Sequence, residues 1–156
     1  MTAHRHRELH FGDDIPPLQD RGIHGQGFQF LNILRDRYHN SSVEAGWWEQ
    51  LEEVKSHLPE RLHRTVEMWY LATKLCLVHS EVSEMMEGLR KGVKDDHLPH
   101  RSMEEVEAAD VLIRLFDYAG FRDMDLAGAT FEKGEYNAVR PDHKIVNREG
   151  EAGKKF

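Results

Sequence analysis

Glu81 and Glu84 stand three residues apart in HSEVSEMMEGLRKG, residues 79 to 92. Glu107 and Asp110 repeat the spacing in EEVEAADVLIRLF, residues 104 to 116. Side chains three apart share one helix face, and two carboxylates there repel unless something positive lies between them. Two antiparallel helices carrying E-x-x-E and E-x-x-D, joined by a ten-residue loop, bring four carboxylates together. That donor set suits a hard divalent cation. Mg²⁺ takes oxygen ligands, keeps several waters and completes its shell with substrate phosphates. Two such ions clamp an in-line displacement at phosphorus.

The same residues also read as a solvated face. Glu107, Asp110, Arg114 and Asp117 step by three, four and three, and Glu67, Lys74, Glu81 and Glu84 can be read alike. Two details favour the metal. A solvated face pairs Glu with Lys or Arg four residues on, whereas Glu81, Glu84 and Glu107 are followed at that distance by Met85, Gly88 and Val111. Only Asp110 has a basic partner there, Arg114. Residues 106 to 116 are otherwise apolar, and residues 75 to 89 nearly so. Helices apolar on several faces want burial, where a carboxylate without a partner is expensive and keeps its proton. A metal removes that penalty.

Lys133, Asn137 and Arg140 are spaced four and three, on one helix face. They read as a phosphate-facing stripe or as an ordinary exposed surface. Trp48, in the pair Trp47-Trp48, reads as a core residue or as a platform for a base.

The elements that must carry these residues are helical. The chain of 156 residues is one domain by default. Phe28, Leu31, Leu34 and Tyr38 mark one face of a helix from about residue 26 into the Glu44 region. A short charged helix follows around residues 49 to 56. Pro59 opens a long helix to about Arg90, stopping near Gly92. Roughly 30 residues span ~45 Å, long enough to suggest a helix shared with a second subunit. Ser102 and Glu105 form a capping box. Their helix runs to about Ala119, with Gly120 as the residue that ends it. Asp125 caps a fourth main helix that reaches about Val139, before Pro141. The expected class is all-α, a four-helix-bundle-like fold. Residues 1–25 form a polar arm, 26–144 the helical domain and 145–156 a flexible tail.

Net charge is −7, which disfavours a nucleic-acid partner gripped through a broad basic patch. Cys76 is the one cysteine, so no intrachain disulfide forms and a reducing compartment fits. Cys76 itself reads as a small buried hydrophobe. No apolar run reaches the ~18 residues of a membrane span, and the N-terminus lacks a secretory h-region. The expected location is cytoplasmic. A di-iron bundle wants two E-x-x-H motifs, and only Glu60 with His63 supplies one. The HD type of metal-dependent phosphohydrolase needs His followed directly by Asp, and no pair stands in that order. His79 points away from Glu81, and His4 with His6 carries no functional weight.

The runs LVHSEVSEMMEGLRKG, EEVEAADVLIRLFDYAG and FEKGEYNAVRP, with AGWWE at residues 45 to 49 upstream, resemble the MazG-like all-α nucleotide pyrophosphohydrolases over roughly residues 28 to 144. The resemblance implies a MazG-type fold completed by oligomerisation, as a homodimer or homotetramer. It implies Mg²⁺-dependent hydrolysis of (deoxy)nucleoside triphosphates between the α and β phosphates, in nucleotide-pool control. Mg²⁺, with Mn²⁺ as a substitute, would sit on Glu81, Glu84, Glu107 and Asp110. Lys133 and Asn137, with Arg140 beside them, would hold the phosphate chain. Water would attack phosphorus, activated by metal and one carboxylate. Residues 49 to 65 are longer than the family leads one to expect, where members build part of the base pocket. The competing reading is a non-catalytic helical module that binds a nucleotide or a partner through a retained acidic site.

Overall fold

The structure is a computed structural model that describes residues 22 to 139, with side chains from residue 27 onward. The arm up to residue 21, Arg140 and the C-terminal tail lie outside the described residues. Five helices follow in order: α1 (Gly22–Glu44), α2 (Glu49–Ser56), α3 (Glu60–Lys91), α4 (Met103–Phe121) and α5 (Leu126–Val139). No strand occurs among the described residues, only an isolated bridge between Lys94 and Ser102. The all-α expectation holds.

Local chemistry sets the boundaries. Pro59 precedes α3 in an extended conformation, φ −55° and ψ 138°, suited to a residue with fixed φ and no N–H. Gly92 ends α3 at φ 64°, a left-handed cap that disfavours a Cβ. Ser102 caps α4 by accepting the Glu105 N–H at 3.1 Å. The reciprocal half of the expected capping box is not the one seen, because the Glu105 carboxylate pairs with Arg101. Asp125 accepts the Gly128 N–H at 2.9 Å and caps α5 as expected. Gly120 is not a terminator. It lies inside α4, where an added Cβ would sit 2.3 Å from the His39 Cβ on α1. Close helix contact, not helix ending, is what that glycine serves. The turn after α4 is made at Asp123, φ 48°.

Side-chain contacts give the helix directions. Gly88 meets Met103 and Glu104, Glu81 meets Arg114, and Lys74 meets Asp117, so α3 and α4 are antiparallel. His39 meets Asp117, Asn32 meets Asp125, and Phe28 meets Phe131 edge to face. Helix α1 is therefore antiparallel to α4 and then to α5, which follow one another along it. Helix α4 lies between α3 and α1, while α2 packs on α3.

The core gathers at one end of the α3–α4 pair: Trp48, Leu51 and Leu71, with Val43, Val66, Tyr70, Tyr118 and Phe121 around them. The rest of α3 is poorly covered. Met68, Ala72, Leu75, His79, Val82, Met86 and Leu89 alternate at four and three along it, and all are exposed. Met86 and Leu89 are 66% and 64% exposed. Cys76 is exposed as well, against the expectation of burial. The cause is arithmetic: α3 has apolar residues on more faces than α2 and α4 can cover. No described helix is long and apolar enough to cross a membrane.

Candidate metal centre

The antiparallel register of α3 and α4 is fixed by what closes them together. Gly88 lets α3 approach the start of α4 so nearly that a Cβ there would lie 2.7 Å from the Glu104 backbone nitrogen. The loop between them is stapled by the Met103 N–H to the Val93 carbonyl at 3.1 Å and the Asp95 N–H to the Arg101 carbonyl at 3.3 Å. Asp95 is buried, and its Oδ1 accepts the N–H groups of His97 and Leu98 at 2.9 and 2.6 Å.

One turn or two inward from this staple, Glu81, Glu84 and Glu107 converge. One carboxylate oxygen from each lies within 4.8 Å of the others, and together the three could hold a metal ion. Glu81 is 5% and Glu107 8% exposed, while Glu84 opens to solvent. Two of the three are therefore not on a solvated face. All donors are carboxylate oxygens, the set a hard cation prefers. Burial first, then the hydrogen bond with Glu81 and the charges of Glu84, Glu81 and Asp110, push the Glu107 carboxyl up to about 7. A buried acid among acids holds its proton because a second and third negative charge have nothing to offset them.

Asp110 stands beside this trio, not in it, and is half-buried. Burial and the charge of Glu81 raise its carboxyl, Arg114 pulls it down, and Asp95 adds to the rise. Arg114, expected to serve Asp110 along its own helix, instead reaches across to α3. Its Nε lies 2.6 Å from the Glu81 Oε1.

Trp48, Lys133 and Asn137 are placed elsewhere. Trp48 is 6% exposed and belongs to the core. Its ring stacks on Phe121 at 4.2 Å, the Lys74 ammonium stands over it at 4.4 Å, and its N–H donates to Asp117 at 2.8 Å. No ring face is open to a base, so Trp48 takes the core reading and not the platform; the neighbouring Trp47 is the exposed indole, at 66%. Lys133 and Asn137 line one face of α5, beside an open groove of about 950 Å³ formed by that helix alone. The Lys133 ammonium sits over the Tyr136 ring at 4.6 Å. Glu107 is fourteen residues from the end of α4 and Lys133 seven from the start of α5, by the helix bounds. Because both helices run the same way along α1, roughly 30 Å of helix separates them. One chain does not bring Lys133 and Asn137 to the carboxylates.

A second charged cluster was not anticipated. Asp117, grouped in the sequence with the solvated face, is 5% exposed. It accepts hydrogen bonds from Trp48 Nε1 at 2.8 Å and Lys74 Nζ at 3.1 Å, and His39 Nδ1 lies at 3.1 Å. A signal for it existed. Lys74 precedes Glu81 by seven residues and Asp117 follows Asp110 by seven, so an antiparallel register that joins Glu81 to Asp110 also joins Lys74 to Asp117.

Comparison of the chain with protein-family models, with curated proteins and with solved structures returns no match.

Proposed function

We propose that this protein is a Mg²⁺-dependent nucleoside triphosphate pyrophosphohydrolase of the MazG-like kind, cleaving its substrate to monophosphate and pyrophosphate. The observation that carries the reading is the convergence of Glu81, Glu84 and Glu107 across two helices, with two of them buried. Three carboxylates at this separation fit a hard cation in number and chemistry. Glu81, Glu84 and Glu107 would hold it, and bound there it would supply the positive charge that activates water and offsets charge on the leaving pyrophosphate. Asp110, half-buried, raised in pKa and adjacent to the trio, has the properties of the base that takes the proton of the attacking water.

The reading needs phosphate ligands, and Lys133 and Asn137 lie too far from the carboxylates within one chain. The apolar stripe along α3 supports the remedy. A seam repeating at four and three is the pattern of helices that pack against helices, and here none of the described residues covers it. A second copy on α3 would bury the stripe and could bring its own α5 to this acidic cluster, in a homodimer or a pair of dimers. Sedimentation showing a monomer at tens of micromolar would remove this part of the proposal and favour the second reading, a helical module that binds a nucleotide without turning it over.

The test is pyrophosphate release with Mg²⁺ from a panel of ribo- and deoxyribonucleoside triphosphates. Release from one or a few substrates, lost with EDTA and in Glu81→Gln, is the expected result. Release that survives either treatment overturns the proposal, as does silence across the panel from a protein that binds nucleotide.

A further inference from the structure

Among the described residues Arg114 is the cation that touches the acidic trio, and it does so in an unusual way. Its Nε approaches the Glu81 Oε1 to 2.6 Å. Yet that nitrogen is buried and makes no aligned hydrogen bond. The contact is held by charge, without the fork geometry that makes an Arg–carboxylate pair strong. The far end of the same side chain faces solvent, the Arg114 side chain being 41% exposed against 7% for Glu81. Other cations of the α3–α4 pair have carboxylates of their own: Lys74 has Asp117, Arg90 and Lys91 have Glu87, and Arg101 has Glu105.

We infer that Arg114 is the resident counter-cation of the acidic cluster, and that it exchanges Glu81 for the phosphate group of an incoming ligand when a divalent cation enters. The inference rests on the cluster being a cation site. The guanidinium and an entering cation both draw on the charge of the Glu81 carboxylate. A divalent charge among three carboxylates wins that competition. The released guanidinium starts from the mouth of the site and presents its remaining N–H groups outward. A phosphate oxygen is the acceptor that such a planar fork matches. The exchange keeps the positive charge near the carboxylates in the cation-free protein and moves it onto the anion in the loaded one. It involves no bond-making.

Binding of Mn²⁺ alone and of Mg²⁺ with inorganic tripolyphosphate, measured by calorimetry on the full chain, tests this. Arg114→Gln removes the competitor and should tighten Mn²⁺ alone about tenfold while weakening tripolyphosphate about tenfold. Arg114→Lys keeps the charge, so Mn²⁺ affinity should stay within about twofold of wild type, with tripolyphosphate still weakened because the fork is gone. Unchanged or weaker Mn²⁺ binding in Arg114→Gln overturns the exchange. A folding failure of that variant leaves Arg114→Lys to decide through its tripolyphosphate affinity, where wild-type strength overturns it. Wild type that binds no Mn²⁺ at all is a different result, one that sinks the cation site itself.

Discussion

Two charged clusters lie on the same pair of helices, two turns apart, and they are solved in opposite ways. At Asp117 one carboxylate meets an ammonium, an indole N–H and an imidazole. At Glu107 a carboxylate meets other carboxylates, with one misaligned guanidinium at its neighbour Glu81. Burial is the same in both: Asp117 is 5% and Glu107 8% exposed. The response of each acid is not. Burial pushes the Asp117 carboxyl up, and the bonds from His39, Trp48 and Lys74 more than reverse that, leaving it below its ordinary value. Nothing reverses the rise at Glu107. A buried charge with matched partners locks a core, while buried charges left against one another hold a proton or make room for a cation.

Breaking the matched cluster should have the largest effect. Asp117→Asn leaves the Lys74 ammonium without its counter-charge among Trp48 and Tyr70, and loss of a buried pair's partner costs about 3–5 kcal/mol. Urea unfolding at pH 7 measures it, and a difference below about 1 kcal/mol would show the pair to be no more than a surface bridge. The sign in acid follows from the lowered carboxyl. Asp117 contributes fully above its ordinary 3.8 and loses its contribution as pH falls through the lower folded value. Wild type and Asp117→Asn should therefore converge in stability at the acid end.

The unmatched cluster should respond to a cation instead. Mg²⁺ at a hundred times its dissociation constant stabilises the folded protein by about 2.7 kcal/mol. The gain should be larger at pH 8 than at pH 5.5, because a proton competes with the cation for Glu107, whose carboxyl is raised to about 7. Thermal unfolding in EDTA and in Mg²⁺ at the two pH values gives the comparison. An equal shift at both pH values would place the cation away from Glu107, and no shift at either would leave the acids without a ligand.

The legibility of these clusters in the sequence differed for a physical reason. The acidic trio was visible because E-x-x-E and E-x-x-D lack basic residues at the usual i+4 positions, a local signal. The helices were visible through punctuation such as Pro59, Gly92, Ser102 and Asp125, each of which acts on its own backbone. Asp117 was misread because its partners come from three other places in the chain: His39 on α1, Trp48 just before α2 and Lys74 on α3. A long-range pairing has no local mark. For the same reason Arg114 was assigned to Asp110, its helical neighbour, when the register of α3 and α4 gives it to Glu81. Gly120 looked like a terminator and proved to be the place where α1 comes close. Cys76 looked like core because apolar neighbours do not say which face another helix will cover.

The smallest effect is also the sharpest separation of the two clusters. Glu107→Gln removes one charge from a group of like charges, so the cation-free protein should gain stability, by about 1 kcal/mol. The sign is opposite to that at Asp117 and so is the pH dependence. An acid whose folded pKa is raised favours folding below its ordinary 4.5 and loses that advantage as pH rises through about 7. Relative to wild type, Glu107→Gln should be neutral at pH 4.5 and more stable at pH 8, in urea unfolding with EDTA present. The same substitution should abolish the Mg²⁺ shift, since a neutral amide is a poor ligand for a hard cation. Stability gained as the cation is lost is the mark of residues placed for a ligand at the expense of the fold. A variant destabilised at pH 8 would instead make Glu107 a structural residue like Asp117, and the contrast between the two clusters would collapse.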